Sequence, residues 1–205
     1  MIFAAASDNA EGIRLLCSRG GNCKAVNFQG YGAAANAAAF GARNALEELL
    51  LQAPHSPLEL SRALYTALGL RGGSAELVSR LLALRADVNF QHDVRRDTSR
   101  VGRLIDAYKG WQHVNGRATV LSAVCYHNHG RTPLMAALQS AQHEGAAALI
   151  VAGASLEIKN CRGWRAEDFA RGESIPLWLQ RGLSGDPSEC EMVTTLALPT
   201  LQVVV

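Results

Sequence analysis

Apolar residues along this chain recur at intervals of three and four over short stretches, each ended by glycine or proline, a pattern that predicts a series of short helices. The clearest stretch runs from Gly130 to Leu156. Leu134, Ala137 and Leu138 fall on one helical face, and Ala146, Leu149 and Ile150 repeat the spacing on a second helix. The Thr132 hydroxyl can cap the first helix, and Pro133 takes its first position, where the backbone N–H is unpaired in any case. Gly153 stands where the second helix must leave through a left-handed turn, a conformation that costs an L-residue roughly 1 kcal/mol or more.

The same arrangement recurs. A second opening, Gly163-Trp164-Arg165-Ala166-Glu167-Asp168-Phe169-Ala170, begins 33 residues after Gly130. Upstream, residues 75–84 repeat the second helix, with Arg85 where the turn calls for glycine, followed by Ala86-Asp87-Val88-Asn89. Its first helix is expected from Leu60 to Leu70, with Leu64, Ala67 and Leu68 inward and Gly72-Gly73 lengthening the turn. Earlier still, Gly30 opens an alanine-rich helix through Phe40, Gly41 turns, and residues 46–51 form a second helix that Pro54 and Pro57 stop. The N-terminus supplies a truncated unit, Ile2 to Ala6 and Ile13 to Cys17, closed by Gly20-Gly21. At the other end, Asp186-Pro187-Ser188-Glu189 predicts a helix start, with Asp186 as cap, Pro187 first and Glu189 reaching back; that helix should cover the last core as far as about Ala197. The final Leu201-Gln202-Val203-Val204-Val205 is apolar and strand-like.

These openings and closings resemble the ankyrin repeat, a Gly-x-Thr-Pro-Leu-His opening, two antiparallel helices and a Gly-Ala-Asp-Val-Asn close, with Met135 standing where the family has histidine. The resemblance covers most of residues 1–183 and is strongest over 130–172. It implies an all-α solenoid of about five stacked helix-turn-helix units (residues 1–183), followed by a capping helix and apolar tail (184–205). Residues 92–129 do not fit: 41 residues separate Asn89 from Gly130 where the family needs about six, leaving about 35 extra. They read either as one degenerate repeat, with helices near 100–108 and 118–126, or as a helical insertion at a loop tip over about 93–127. The insertion is preferred because Val101-Gly102-Arg103-Leu104 keeps none of the opening signature.

Composition fits a folded chain and excludes little else: 48% hydrophobic residues, 19% charged, abundant alanine and 19 glycines favour closely approaching helices. A net charge of +2 provides no strong field for nucleic acid or anionic membrane. The five scattered cysteines make no CxxC pair and read as reduced thiols, and no secretory or membrane-spanning stretch is evident, so a cytoplasmic or nuclear monomer is expected.

Candidate chemistry is sparse. Cys125, His127 and His129 cluster as borderline-soft ligands and support an alternative reading as a metal-binding or redox protein, but no second pair stands at zinc-site spacing, so no metal and no cofactor is expected. The basic residues Arg95, Arg96, Arg100, Arg103, Lys109 and Arg117 are interleaved with Asp93, Asp97 and Asp106, which fits a solvated amphipathic helix better than a nucleic-acid stripe. Gly30-Tyr31-Gly32 lacks the rest of a dinucleotide fingerprint, the adjacent pairs Glu47-Glu48 and Glu167-Asp168 point apart on helices, and no serine-nucleophile motif occurs. The expected function is a non-catalytic protein–protein scaffold or adaptor, not an enzyme. Its partner, another protein, should meet the loop tips and the concave helical face through Phe28, Gln29, Tyr31, Phe90, His92, Arg162 and Trp164.

Overall fold

The computed structural model describes residues 1–171 and 175–197, so the apolar segment 201–205 lies outside the described residues. The described chain is helical apart from turns and a single bridge between Val26 and Gly32. Helices come in pairs: α1 (Ile2–Ala6) with α2 (Ala10–Ser18), α3 (Ala33–Ala39) with α4 (Arg43–Gln52), and α5 (Pro57–Gly69) with α6 (Ala75–Ala83). After α7 (Val94–Asp97), α8 (Arg100–Val114) and α9 (Val120–His127) the pairing resumes with α10 (Pro133–Gln139) and α11 (His143–Val151). It ends with α12 (Ala166–Ala170), α13 (Leu177–Leu183) and α14 (Ser188–Ala197).

First helices stack on first helices, α1 on α3, α3 on α5, α5 on α10 and α10 on α12; in the second layer α2 meets α4, and α11 lies between α6 and α13. Because α5 packs directly on α10 and α6 on α11, the helices α7, α8 and α9 lie outside the stack, with α8 and α9 packed on each other. Small residues set the spacing. Six alanines of α3 are buried, which lets α5 come close enough to fill the interior with Leu64 and Leu68, while Leu134, Leu138 and Leu149 continue the core downstream. The period also shows on the surface of the second layer, where Arg14–Glu48, Arg43–Glu76 and Arg80–Glu47 pair residues 33 or 34 apart. Between paired helices the chain turns through a left-handed residue at Asp8 (φ 54°), Gly41 (φ 67°) and Ala141 (φ 53°), again at multiples of about 33 residues.

Several local expectations change. Pro57 does not stop a helix but opens one: Ser56 caps α5 by accepting from the Glu59 N–H at 3.2 Å, and Glu59 answers the Ser56 N–H at 2.7 Å. Helix α2 starts at Ala10, earlier than Ile13, because Asn9 caps it through the Gly12 N–H at 2.7 Å. Asp186 does accept from the Ser188 N–H (3.1 Å), but Glu189 pairs with Arg181 instead of reaching back to the cap. Helix α14 lies against α11 and α13, on the second-helix layer, burying Cys190 and Thr194. Cys17 and Cys23, expected as thiols, form a disulfide, the reversal after α2 bringing their Cα atoms to 6.5 Å; Cys125, Cys161 and Cys190 are free.

Candidate interaction site

Two loop tips are built alike. Asn27 Oδ1 accepts the N–H groups of Gln29 (2.9 Å) and Tyr31 (3.0 Å), and Asn160 Oδ1 accepts those of Arg162 (2.9 Å) and Trp164 (3.0 Å). In each, an asparagine side chain mimics a turn, which leaves Phe28 exposed on the first tip and Arg162 and Trp164 on the second. The tip after Asn89 is opened instead. The His92 N–H donates to the Arg131 carbonyl (3.1 Å) and the Gly130 N–H to the His92 carbonyl (2.8 Å), closing a neck from which residues 93–129 emerge.

That segment folds back over the neighbouring tips. Ser99 donates its N–H to the Gln29 carbonyl (2.8 Å) and its hydroxyl to the Phe28 carbonyl (2.5 Å). At its base the fully buried Asp97 carboxylate accepts from Arg62 (2.7 Å) and Arg96 (2.7 Å). Burial opposes ionisation of Asp97, but hydrogen bonds from Arg96, the Asp93 backbone and Arg62 outweigh it and hold the carboxyl at about 2. On the far side the Arg162 guanidinium sits 4.1 Å over the Tyr126 ring, and His127 packs 4.2 Å from Trp164.

This folding decides the fate of the tip residues. Phe28 is 67% exposed and Arg162 is exposed, while Trp164, 40% exposed, rests one face on His127 and Phe169. Gln29 and Tyr31 are half-buried, and burial pushes the Tyr31 phenol up. Phe90 and His92, expected outward, are instead buried: His92 stacks on Tyr65 at 4.6 Å, and Phe90 meets the same ring edge-on at 6.1 Å. Opening the tip removed the reversal that would have exposed them. Cys125, His127 and His129 also part company, Cys125 lining a cleft with Asp106, His127 stacking on Trp164, and His129 facing Asp93 at 3.7 Å. Among the described residues no group of three or more His, Cys, Asp or Glu side chains is placed to hold a metal ion.

Between the first-helix layer of α1, α3 and α5 and the hairpin of α8 and α9 lies a cleft of about 870 Å³. Its walls are mainly apolar, with Ala35, Ala39, Ile105 and Val124 among them. One end is polar: Arg131 donates to the Tyr65 hydroxyl (2.8 Å), Tyr65 donates to Asn128, and Asn128 donates to Asp106 (2.8 Å). Burial raises the Asp106 carboxyl above its ordinary value. Burial, with Asp106 beside it, pushes the Cys125 thiol up to about 12, so it stays protonated near neutral pH and is a poor nucleophile.

A further surface was not anticipated. Val101, Leu104, Tyr108 and Trp111, spaced three, four and three residues apart, form one stripe on α8, each more than half exposed. Arg100 and Arg103 border it, and two of the three acidic residues expected among the basic ones have turned inward, Asp97 into its arginine pair and Asp106 into the cleft, while Asp93 stays partly exposed beside His129. The helical spacing was present in the sequence; that the face would stay uncovered was not.

No helix among the described residues is long and apolar enough to cross a membrane. No curated protein shows significant similarity to the chain. The family model for the ankyrin repeat matches residues 129–161, which run from His129 through α10 and α11 to Cys161. The ankyrin repeat is a protein-interaction module. Residues 129–161 are thus similar to an ankyrin repeat, and they sit in a stack of paired helices.

Proposed function

We propose that the chain is a non-catalytic protein-recognition scaffold whose partner docks on the loop-tip side, along the outer face of α8 and the neighbouring tips. The observation that carries this reading is the row Val101, Leu104, Tyr108 and Trp111: four large apolar side chains more than half exposed on one helix. A monomer gains nothing from such a row in water, and contiguous exposed apolar surface of this kind marks interaction sites. Arg100 and Arg103 beside the row, with Phe28 on one tip and Arg162 and Trp164 on another, favour a partner presenting apolar residues flanked by carboxylates. Gln29 and Tyr31 contribute backbone support and cleft wall, and Phe90 and His92 act from within as core.

The test is capture from native cells with the full chain as bait, beside Leu104→Glu and Trp111→Glu. Both substitutions sit on solvent-facing positions and should leave the far-UV circular dichroism unchanged. Quantitative mass spectrometry should then show the same prey protein lost from both variants. Retention of every specific prey by both would remove α8 from the interface.

A further inference from the structure

The polar end of the cleft contains a guanidinium, Arg131, that lies 5.1 Å over the Tyr65 ring but meets no carboxylate among the described residues. Arg131 is only 3% exposed, yet no carboxylate oxygen among the described residues lies within 4.0 Å of its nitrogens. Its Nε is used by Tyr65 and Nη1 by Gln139. Nη2, which stands 3.8 Å from where a Cβ on Gly69 would be, has no protein acceptor among the described residues and is not fully enclosed, so it opens on the cleft. A buried guanidinium without a counter-charge is costly, and such groups are ordinarily paired. The other charged group in the cleft, Asp106, is held by Asn128, with Tyr65 and Asn128 standing between it and Arg131. Away from this end the lining is mainly apolar, with Asn27, Gln29, Asn36 and Thr98 also in it, and at the rim Phe3, Phe28, Phe40, Leu70 and Leu121 are all more than half exposed.

We propose that this cleft binds a small amphiphile, an apolar chain ending in a carboxylate, with the carboxylate on Arg131 and the chain lying between the first-helix layer and α8. The three features each restrict the ligand. The volume of about 870 Å³ falls within the roughly 300–1,000 Å³ of small-molecule sites. Apolar walls and rim call for a hydrocarbon body that covers them. The unmatched Nη2 calls for an anionic acceptor, and a carboxylate meets guanidinium N–H groups in the planar geometry they present. A neutral amphiphile would fill the walls equally well and could accept from Nη2 through a hydroxyl, but would leave the positive charge unmatched; a cationic one would set like charges together. Apart from Phe28 at its rim, this site is separate from the surface assigned to a partner and does not include the outer face of α8, so either assignment can fail without the other.

The experiment is isothermal titration of the full chain with decanoate, decan-1-ol and decyltrimethylammonium, each below its micellar concentration. Decanoate should bind saturably at one per chain, about tenfold or more tighter than decanol, as expected for one added charged hydrogen bond, and the ammonium should not compete. Gly69→Leu, which fills the space beside Nη2, should weaken decanoate by a similar factor with unchanged helicity. Arg131→Gln should abolish the preference for decanoate over decanol. Should Arg131→Gln fail to fold, Gly69→Leu decides the matter alone. Equal affinity for decanoate and decanol, absence of saturable decanoate binding, or undiminished binding by Gly69→Leu would each overturn the assignment.

Discussion

Gly72 lies within the lengthened turn between α5 and α6, and its backbone is not in the left-handed region, so alanine could adopt the same dihedral angles. On conformational grounds alone, Gly72→Ala should stabilise the fold by about 0.4–1 kcal/mol, by narrowing the unfolded ensemble. The structure reverses the sign. A Cβ at Gly72 would stand 1.7 Å from the Ala38 carbonyl oxygen, 2.9 Å from its carbon and 3.1 Å from the Ala67 Cβ. None of these atoms is the end of a flexible side chain, so the turn at Gly72 and the end of α3 must separate by more than an ångström. That motion strains the Arg71 N–H to Ala39 carbonyl bond and the Gly72 N–H to Ala67 carbonyl bond, both 3.0 Å. Overpacking of about 1–3 kcal/mol plus a weakened buried hydrogen bond of about 1 kcal/mol gives a loss of about 3 kcal/mol. Gly153→Ala is the control: its φ of 81° strains any L-residue, but open space surrounds it, so about 1–2 kcal/mol should be lost. Urea unfolding followed at 222 nm, with midpoints and slopes for both variants, checks the order. A Gly72→Ala chain as stable as the parent, or more stable than Gly153→Ala, would refute the close approach of the Gly72 turn to the end of α3.

Arg85 occupies a left-handed turn at φ 71°, so Arg85→Gly should raise stability by up to about 1 kcal/mol, the relief of strain exceeding the entropy that glycine adds to the unfolded chain; a lowered urea midpoint would contradict this. Asp97→Asn removes the buried acceptor of Arg62 and Arg96 and should cost about 3 kcal/mol at pH 7. Because the folded Asp97 carboxyl is depressed to about 2, its contribution is complete above about pH 4 and is lost as pH falls through 2, so parent and variant melts should converge only in strong acid. His127 is held at about 4, first by burial and then by His113, Arg131 and Arg162. The unfolded imidazole therefore binds the extra proton between about pH 6.5 and 4, stability falls over that window, and His127→Phe should flatten the slope of melting temperature against pH. Iodoacetamide at pH 8 should label the exposed Cys161 and spare Cys125 and Cys190, both raised by burial; rapid labelling of Cys125 in folded protein, read by peptide mass spectrometry, would contradict its place in the cleft.

The repeat was legible because its signals are local. Thr132-Pro133, the inward Leu64, Ala67 and Leu68, and the 33-residue return of a Gly-led opening all act within a few residues, and a helix of period 3.6 exposes or buries them accordingly. Even the missed start of α5 was written in Ser56-Pro57-x-Glu59, a capping box read too simply as a stop. What the tertiary structure alone decided concerns contacts between residues far apart in the chain. Phe90 and His92 look like tip residues until the opened loop turns them onto Tyr65; Asp97 looks like one charge in a mixed run until Arg62, 35 residues away, closes on it. The Tyr65 bonds to Asn128 and Arg131, and the Ser99 anchor on Phe28, span 63 to 71 residues. No local period encodes such pairs, because which side chains meet depends on how the outlying hairpin of α8 and α9 lies across the stack. For the same reason the sequence could place Arg131 next to a helix cap, and only the folded chain could leave its charge unanswered at the end of an apolar cleft.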